Sequence, residues 1–358
     1  MSKYESADLV QALTNGLHRQ VLTGMTIRTF LSKILFPTSI AVIVCYFLLR
    51  EISIQKIPDT LRQAPVLALV AGFILYSLLV WTKALRFREL LELDVSVNQL
   101  TPILALHTFW GNLLPMRSGD LSYIYLMKRR EGVDETKSVA SLMLASVIDL
   151  MLLLAFMVGT SWALRSHLLG QLSYSILFVL PFLIFCALAL LLSTACAAPN
   201  ACLTVASYCA KPLLQFQIRP VNWFVNKYLD VVHELTHIRF DWRFCKIWGY
   251  SLLGLGIRFG FQCYLAREMG IDVSVVRLTF ALAFTSIFNL LPVQSIGNFG
   301  TVEFPFAWVL MRFGTQKELA IVAGFSLHLI ILLYCIPLGI YGLITKPAHQ
   351  EKGLKKSA

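Results

Sequence analysis

The sequence predicts an all-α, polytopic membrane protein: about six full transmembrane helices plus two re-entrant or half-helix hairpins, arranged as inverted repeats. Three observations carry this. The chain is very apolar, with mean hydropathy +0.69. It has 57% hydrophobic residues and only 14% charged ones, where a soluble domain carries about 25% charged residues. Asn112-Leu113-Leu114-Pro115 returns letter for letter as Asn289-Leu290-Leu291-Pro292. The flanks agree in kind: Met116-Arg117-Ser118-Gly119-Asp120 is answered by Val293-Gln294-Ser295-Ile296-Gly297-Asn298. Apolar runs then open at Lys137 and Lys317 and are interrupted by Asp149 and His328. A helix-breaking element duplicated in the two halves of a membrane chain points to a transport site.

Residues 1–33 form an N-terminal cytoplasmic segment. It shows no signal-peptide pattern, and Leu9, Leu13, Leu17 and Val21 make a helical stripe suited to the membrane surface. The first membrane half is 34–197, with spanning runs at about 34–50, 65–82, 138–163 and 174–197. Residues 198–243 are a cytoplasmic linker in which Val221, Phe224, Val225, Tyr228, Leu229, Val232 and Leu235 share one helical face. The second half, 244–345, spans at about 244–266 and 317–345, and a basic tail follows at 346–358. Runs at about 99–115, 276–292 and 303–313 are too short or too broken to cross. They carry the duplicated element, so re-entrant hairpins are expected near 99–127 and 276–313. Such backbone survives at membrane depth only where protein buries it or a wet cavity faces it.

The 31 Lys and Arg residues test this path. With both termini in the cytoplasm, most of them fall on cytoplasmic segments, Lys83, Arg86 and Arg88 included, as the positive-inside rule asks. Arg117 and Arg258 remain at membrane depth. The first hairpin then enters from the cytoplasm and the second from outside. The net charge of +11 therefore reads as loops facing anionic lipid, not as a nucleic-acid platform. The eight cysteines include no CxxC pair and read as reduced thiols.

His233-Glu234-Leu235-Thr236-His237 matches the spacing of HExxH zinc hydrolases. These residues lie opposite the apolar stripe of the linker helix, and no third ligand completes a set. A solvated polar face is the expectation, with no metal and no cofactor. Arg117 beside the helix start at Gly119–Ser122 offers a forked cation and backbone donors to a phosphate. The alternative is an Arg117–Asp120 pair that only ties the hairpin. In the second copy Gln294, Ser295 and Asn298 are neutral polar groups on a loop interrupted by Gly297 and Gly300. Glu303 either caps the next helix, neutralises Arg117 or Arg258, or carries a coupling proton. Asp149, Arg258 and His328 interrupt spanning runs, and intramembrane ionisable groups are functional candidates; buried pairing that sets helix register is the bland alternative.

These motifs resemble the lysylphosphatidylglycerol synthase transmembrane-region family over about residues 34–345. The resemblance marks Asn112, Pro115, Arg117, Gly119 and Asp120 in the first motif, Pro292, Gly297, Gly300 and Glu303 in the second, and Asp149 between them. Asp120 stands where glutamate is usual. Ala145-Ser146 replaces a common Glu-Arg pair, and Ser-Ile-Gly-Asn-Phe-Gly replaces a glycine doublet. The resemblance implies a bacterial inner-membrane protein that moves lipid between leaflets, without the synthase half found in fused members and hence without enzymatic activity. The expected substrate is an anionic, phosphate-bearing lipid, either a phospholipid or polyprenyl-phosphate-linked. Candidate lipid-binding residues are Asn112, Pro115, Arg117, Ser118, Gly119, Asp120, Asn289, Pro292, Gln294, Ser295, Gly297, Asn298, Gly300 and Glu303. Asp149, Arg258 and His328 are expected to relay or pair charge. Compatible protein partners are a lipid-synthesising enzyme and a second copy of the chain. Rival readings are a membrane-embedded lipid-modifying enzyme and a non-transporting assembly partner.

Overall fold

The computed structural model describes residues 39, 42–50, 52–53, 55–92, 95–115, 117–164, 172–197, 241–290 and 294–345, with single positions at 200, 204, 207, 208, 229, 230 and 233. The N-terminal stripe, most of the 198–243 linker with Glu234 and His237, Pro292 and the basic tail lie outside the described residues. Within them, every regular element is helical. After α1 (residues 42–50) come α2 (Lys56–Gln63), α3 (Val66–Leu91), α4 (Val97–Leu113), α5 (Gly119–Leu126) and a π turn at Met127–Glu131. Then follow α6 (Glu135–Ala163), α7 (Leu172–Ala197), α8 (Trp242–Glu268), α9 (Val275–Phe288), a 3-10 turn at Ile296–Asn298, α10 (Glu303–Arg312) and α11 (Lys317–Ile344). The helices α3, α6 and α11 are long and apolar enough to cross a membrane. Local chemistry sets the starts. Ser96 and Gln99 form a capping box on α4, and Asp134, Asp241 and Ser274 cap α6, α8 and α9 through backbone N–H groups.

Side-chain contacts give the relative direction of the two halves. Arg243 and Lys246, at the start of α8, bridge Glu92 and Glu89 at the end of α3, at 2.9 and 3.8 Å. Gly72, early in α3, lies against Leu265, late in α8. The first long helix of each half therefore runs antiparallel to its counterpart. The last long helices do the same. Lys56 meets Glu318 at 2.7 Å, which puts the start of α11 beside the start of α2, at the end of the bundle where α3 begins. Arg130, just before α6, donates to the Gly342 carbonyl near the end of α11 at 3.2 Å. The order α3–α6 thus recurs, inverted, as α8–α11.

Each short pair doubles back to the end of the bundle it left. Helices α4 and α5 return to the end shared by Glu92 and Arg130; α9 and α10 return to the end shared by Glu268 and Lys317. With 17 residues, α4 reaches about 25 Å at ~1.5 Å per residue, short of a ~30 Å hydrocarbon core. The halves interlock, because α4 packs on α11 and α9 packs on α6. Between apolar helices in lipid, close approach by small residues does the work that water exclusion does elsewhere. A Cβ on Gly119 would sit 2.4 Å from the Gly111 backbone, where α5 folds onto α4. One on Gly342 would sit 2.6 Å from the Pro102 carbonyl, where α11 meets α4.

One expected boundary is corrected. Hydropathy alone ends the second apolar run at 82 and places Lys83 and Arg86 in a cytoplasmic loop. Instead α3 continues to Leu91, and Arg86 is buried. These cations are tolerated inside the bundle because the inner face of α3 meets a polar cavity rather than lipid.

Candidate functional site: a cationic cavity between the halves

A cavity of about 250 Å³ lies where the two halves meet. By the same measure one water needs only ~10–15 Å³, so the space is large enough for a polar group and its hydration. Both repeats build it. Thr108 and Asn112 reach it from α4, and Thr285 and Asn289 from α9 and its C-terminus. The duplicated element is thus longer than its tetrapeptide. It reads Thr-x-x-x-Asn-Leu-Leu-Pro in both copies, starting at Thr108 and at Thr285. The Thr-to-Asn spacing of four places both side chains on one helical face, and Asn112 Nδ2 donates to the Thr108 carbonyl at 2.8 Å.

Three cations line this space: Lys83 and Arg86 from α3, and Arg258 from α8. Lys83 and Arg86 stand three residues apart and so face the same way. Lys83 Nζ donates to Thr108 Oγ1 at 3.4 Å. Arg86 pairs with Asp149 of α6 and donates to Ser251 of α8 at 3.2 Å. Arg258 makes no hydrogen bond or salt bridge among the described residues. Asp149 is the only carboxylate among the lining residues. Its side chain is 40% exposed while Arg86 is 8% exposed, so the cavity opens on the α6 side. Asp149 stands fourteen residues beyond Glu135, about 21 Å along α6 at ~1.5 Å per residue.

The remaining wall is polar and incompletely bonded. Arg86 Nε, Gln262 Oε1, Asn289 Oδ1, Asn298 Oδ1 and His328 Nε2 are buried without a hydrogen-bond partner among the described residues, and all five residues line the cavity. Buried polar groups are hydrogen-bonded in the great majority of cases. A cluster of exceptions around one space marks a site that a polar ligand or water completes.

The other candidate residues hold the hairpin tips. Arg117 adopts φ +55, a left-handed conformation rare for a non-glycine residue. Its backbone N–H donates to Gln294 Oε1 at 3.2 Å, and its guanidinium donates to the Leu290 carbonyl at 3.3 Å. Its Nε also pairs with Asp120 at 3.2 Å, and Asp120 meets His107 at 3.0 Å. Arg117 is therefore a clasp between the two tips and does not line the cavity. Ser118 donates to the Pro115 carbonyl at 2.6 Å, and Gln294 Nε2 donates to the Asn289 carbonyl at 2.5 Å. Ser295 donates to the Phe299 carbonyl at 2.6 Å. Positive φ at Gly297, Asn298 and Gly300 turns the second tip.

Glu303 meets neither Arg117 nor Arg258. It is fully buried. It accepts from the Gly300 N–H at 2.7 Å and pairs with His328 Nδ1 at 2.6 Å. His328 presents its other ring nitrogen, which is orphaned, and its ring lines the cavity. Asp149 and His328, which interrupt matching helices, thus stand in the same wall. Pro292 lies outside the described residues, and His233 is helical and exposed.

Lys83, Arg86, Thr108, Gln262 and Thr285 escape sequence reasoning. The pair at 83 and 86 follows an apolar run and imitates a cytoplasmic flank. The Thr-x-x-x-Asn extension of the repeat was legible and would have found Thr108 and Thr285. No curated protein and no solved structure matches the chain. The family model described as the lysylphosphatidylglycerol synthase TM region matches residues 34–339, most of the chain, and the protein belongs to that membrane family.

Proposed function

We propose that the protein carries a phosphate-bearing lipid between the leaflets of a bacterial inner membrane, and that the headgroup sits among Lys83, Arg86 and Arg258. One observation carries the reading: three cations converge on a cavity at the junction of inverted halves, and one of them, Arg258, has no hydrogen-bond or ion-pair partner among the described residues. An unpaired guanidinium at membrane depth is costly, and an anion relieves that cost. Its planar fork suits phosphate oxygens. The amide and hydroxyl groups of Asn112, Thr108, Asn289 and Thr285 supply orientation from both halves. The headgroup enters past Asp149, and the acyl or prenyl chains stay in lipid. Exchange of access follows from rocking one half against the other around this fixed seat. The Arg117 clasp between the tips is the contact that opens and re-forms. The end carrying Arg130, Arg243 and Lys246 faces the cytoplasm in this reading.

The test is the set of lipids retained by gently purified protein, identified by mass spectrometry. A phosphate lipid enriched over bulk membrane in the wild type, lost in Arg258→Gln and kept in Arg117→Ala, is the expected result. Bulk lipid in all three samples overturns the seat and transfers weight to a non-transporting partner role.

A further inference from the structure

The charges around the cavity are unequal in number. Lys83, Arg86 and Arg258 face it, against the single carboxylate of Asp149. Asp149 is already engaged by Arg86. Glu303 does not line the space; it is held behind His328 by the Gly300 N–H and the imidazole. Asp120 is likewise spent on Arg117 and His107 outside the cavity. Two cations, Lys83 and Arg258, are left without a carboxylate partner.

Resting on the lipid-carrier reading above, we infer that the headgroup is a compact dianion, a terminal phosphomonoester or diphosphate, and not a phosphodiester bearing a cationic aminoacyl ester. A phosphomonoester carries about −1.5 to −2 charges near pH 7 and three strong acceptor oxygens. That matches two cations, Lys83 and Arg258, that no carboxylate among the described residues neutralises. A phosphodiester carries one negative charge and leaves one cation bare. An aminoacyl ester adds an ammonium, and an ammonium placed beside Lys83 and Arg258 meets like charge in a site of low polarity. Among the described residues no acidic side chain lines the cavity to receive it except Asp149, which Arg86 occupies.

The test uses the full chain in nanodiscs of neutral lipid. Phosphatidic acid, phosphatidylglycerol and lysylphosphatidylglycerol are each doped in at the same fraction, and inorganic phosphate and pyrophosphate are added separately to the buffer. Binding is read by protection against thermal unfolding and by competition with a labelled phosphatidic acid. The expected result is phosphatidic acid preferred over phosphatidylglycerol by about tenfold or more, with lysylphosphatidylglycerol weakest. Arg258→Gln, which removes a cation, shrinks the preference. Asp149→Asn, which removes the carboxylate, widens it, and a merely structural role for both residues predicts loss in both. Equal binding of the monoester and the diester overturns the dianion and leaves a lipid carrier standing. Preference for the lysyl lipid overturns it outright. Inorganic phosphate or pyrophosphate that competes as well as the lipid keeps the dianion but removes the lipid-carrier reading.

Discussion

The two hairpin tips share a plan and differ in chemistry. Each carries the sequence Thr-x-x-x-Asn-Leu-Leu-Pro, and each places a carboxylate in the first turn of its returning helix, Asp120 in α5 and Glu303 in α10. Each carboxylate meets a histidine, His107 or His328. The first pair is partly open, with Asp120 33% exposed, and shares its charge with Arg117. The second pair is sealed, at 0% for Glu303 and 2% for His328, and among the described residues no Lys or Arg pairs with its carboxylate. The same turn therefore serves two tasks. The first tip reaches across and clasps; the second anchors its own helix and presents an imidazole to the cavity. What the copies hold in common is the part that faces the cavity, namely the Thr and Asn side chains.

The largest effect expected from breaking this comparison is at the sealed tip. Glu303→Ala strips the Gly300 N–H and His328 Nδ1 of their buried acceptor. It should lower stability by about 3 kcal/mol, measured by denaturant titration in detergent. Asp120→Ala, at the open tip, should cost about 1 kcal/mol, since water reaches its partners. Equal losses would mean that the tips do not differ in burial as described. Next in size is Gly119→Ala. Its Cβ would fall 2.4 Å from backbone atoms of Gly111, so α5 must shift off α4 at a cost of about 1–3 kcal/mol. The same change at Gly111 meets nothing within 4 Å; there the gain in helix propensity should leave stability equal or up to ~1 kcal/mol higher. The smallest effect is at the clasp. Gln294→Ala removes the acceptor for the Arg117 N–H and a donor to Asn289, and should destabilise by about 1 kcal/mol. It should also raise amide exchange at residues 114–118 more than at 296–300, as read by hydrogen exchange. Equal exchange at both tips would show that the clasp does not hold the first one.

The architecture was legible because membrane burial leaves coarse marks: apolar runs of spanning length, runs that fall short, and a contiguous duplicated turn. Asp149 and His328 were legible as charges inside apolar runs. Arg117 was legible as a charge at depth but not as a clasp, because its partners Gln294 and Leu290 lie in the other repeat and only folding brings them near. The cavity cations Lys83 and Arg86 were hidden for a different reason. Hydropathy cannot distinguish a helix that leaves the membrane at position 82 from one that continues to Leu91 and turns Lys83 and Arg86 toward a polar interior. The pairing of Glu303 with His328, 25 residues apart, likewise rests on the angle at which α10 packs against α11. No pattern along the chain encodes that angle.

The most direct test of the central claim is leaflet exchange in liposomes reconstituted with the purified chain, following a labelled phosphatidic acid by loss of protection from a membrane-impermeant reagent. The account predicts exchange in the wild type and a fall of about tenfold or more in Arg258→Gln, with folding of the variant verified by its unfolding transition. Exchange undiminished in Arg258→Gln and in Lys83→Gln would contradict a headgroup seat between the inverted halves.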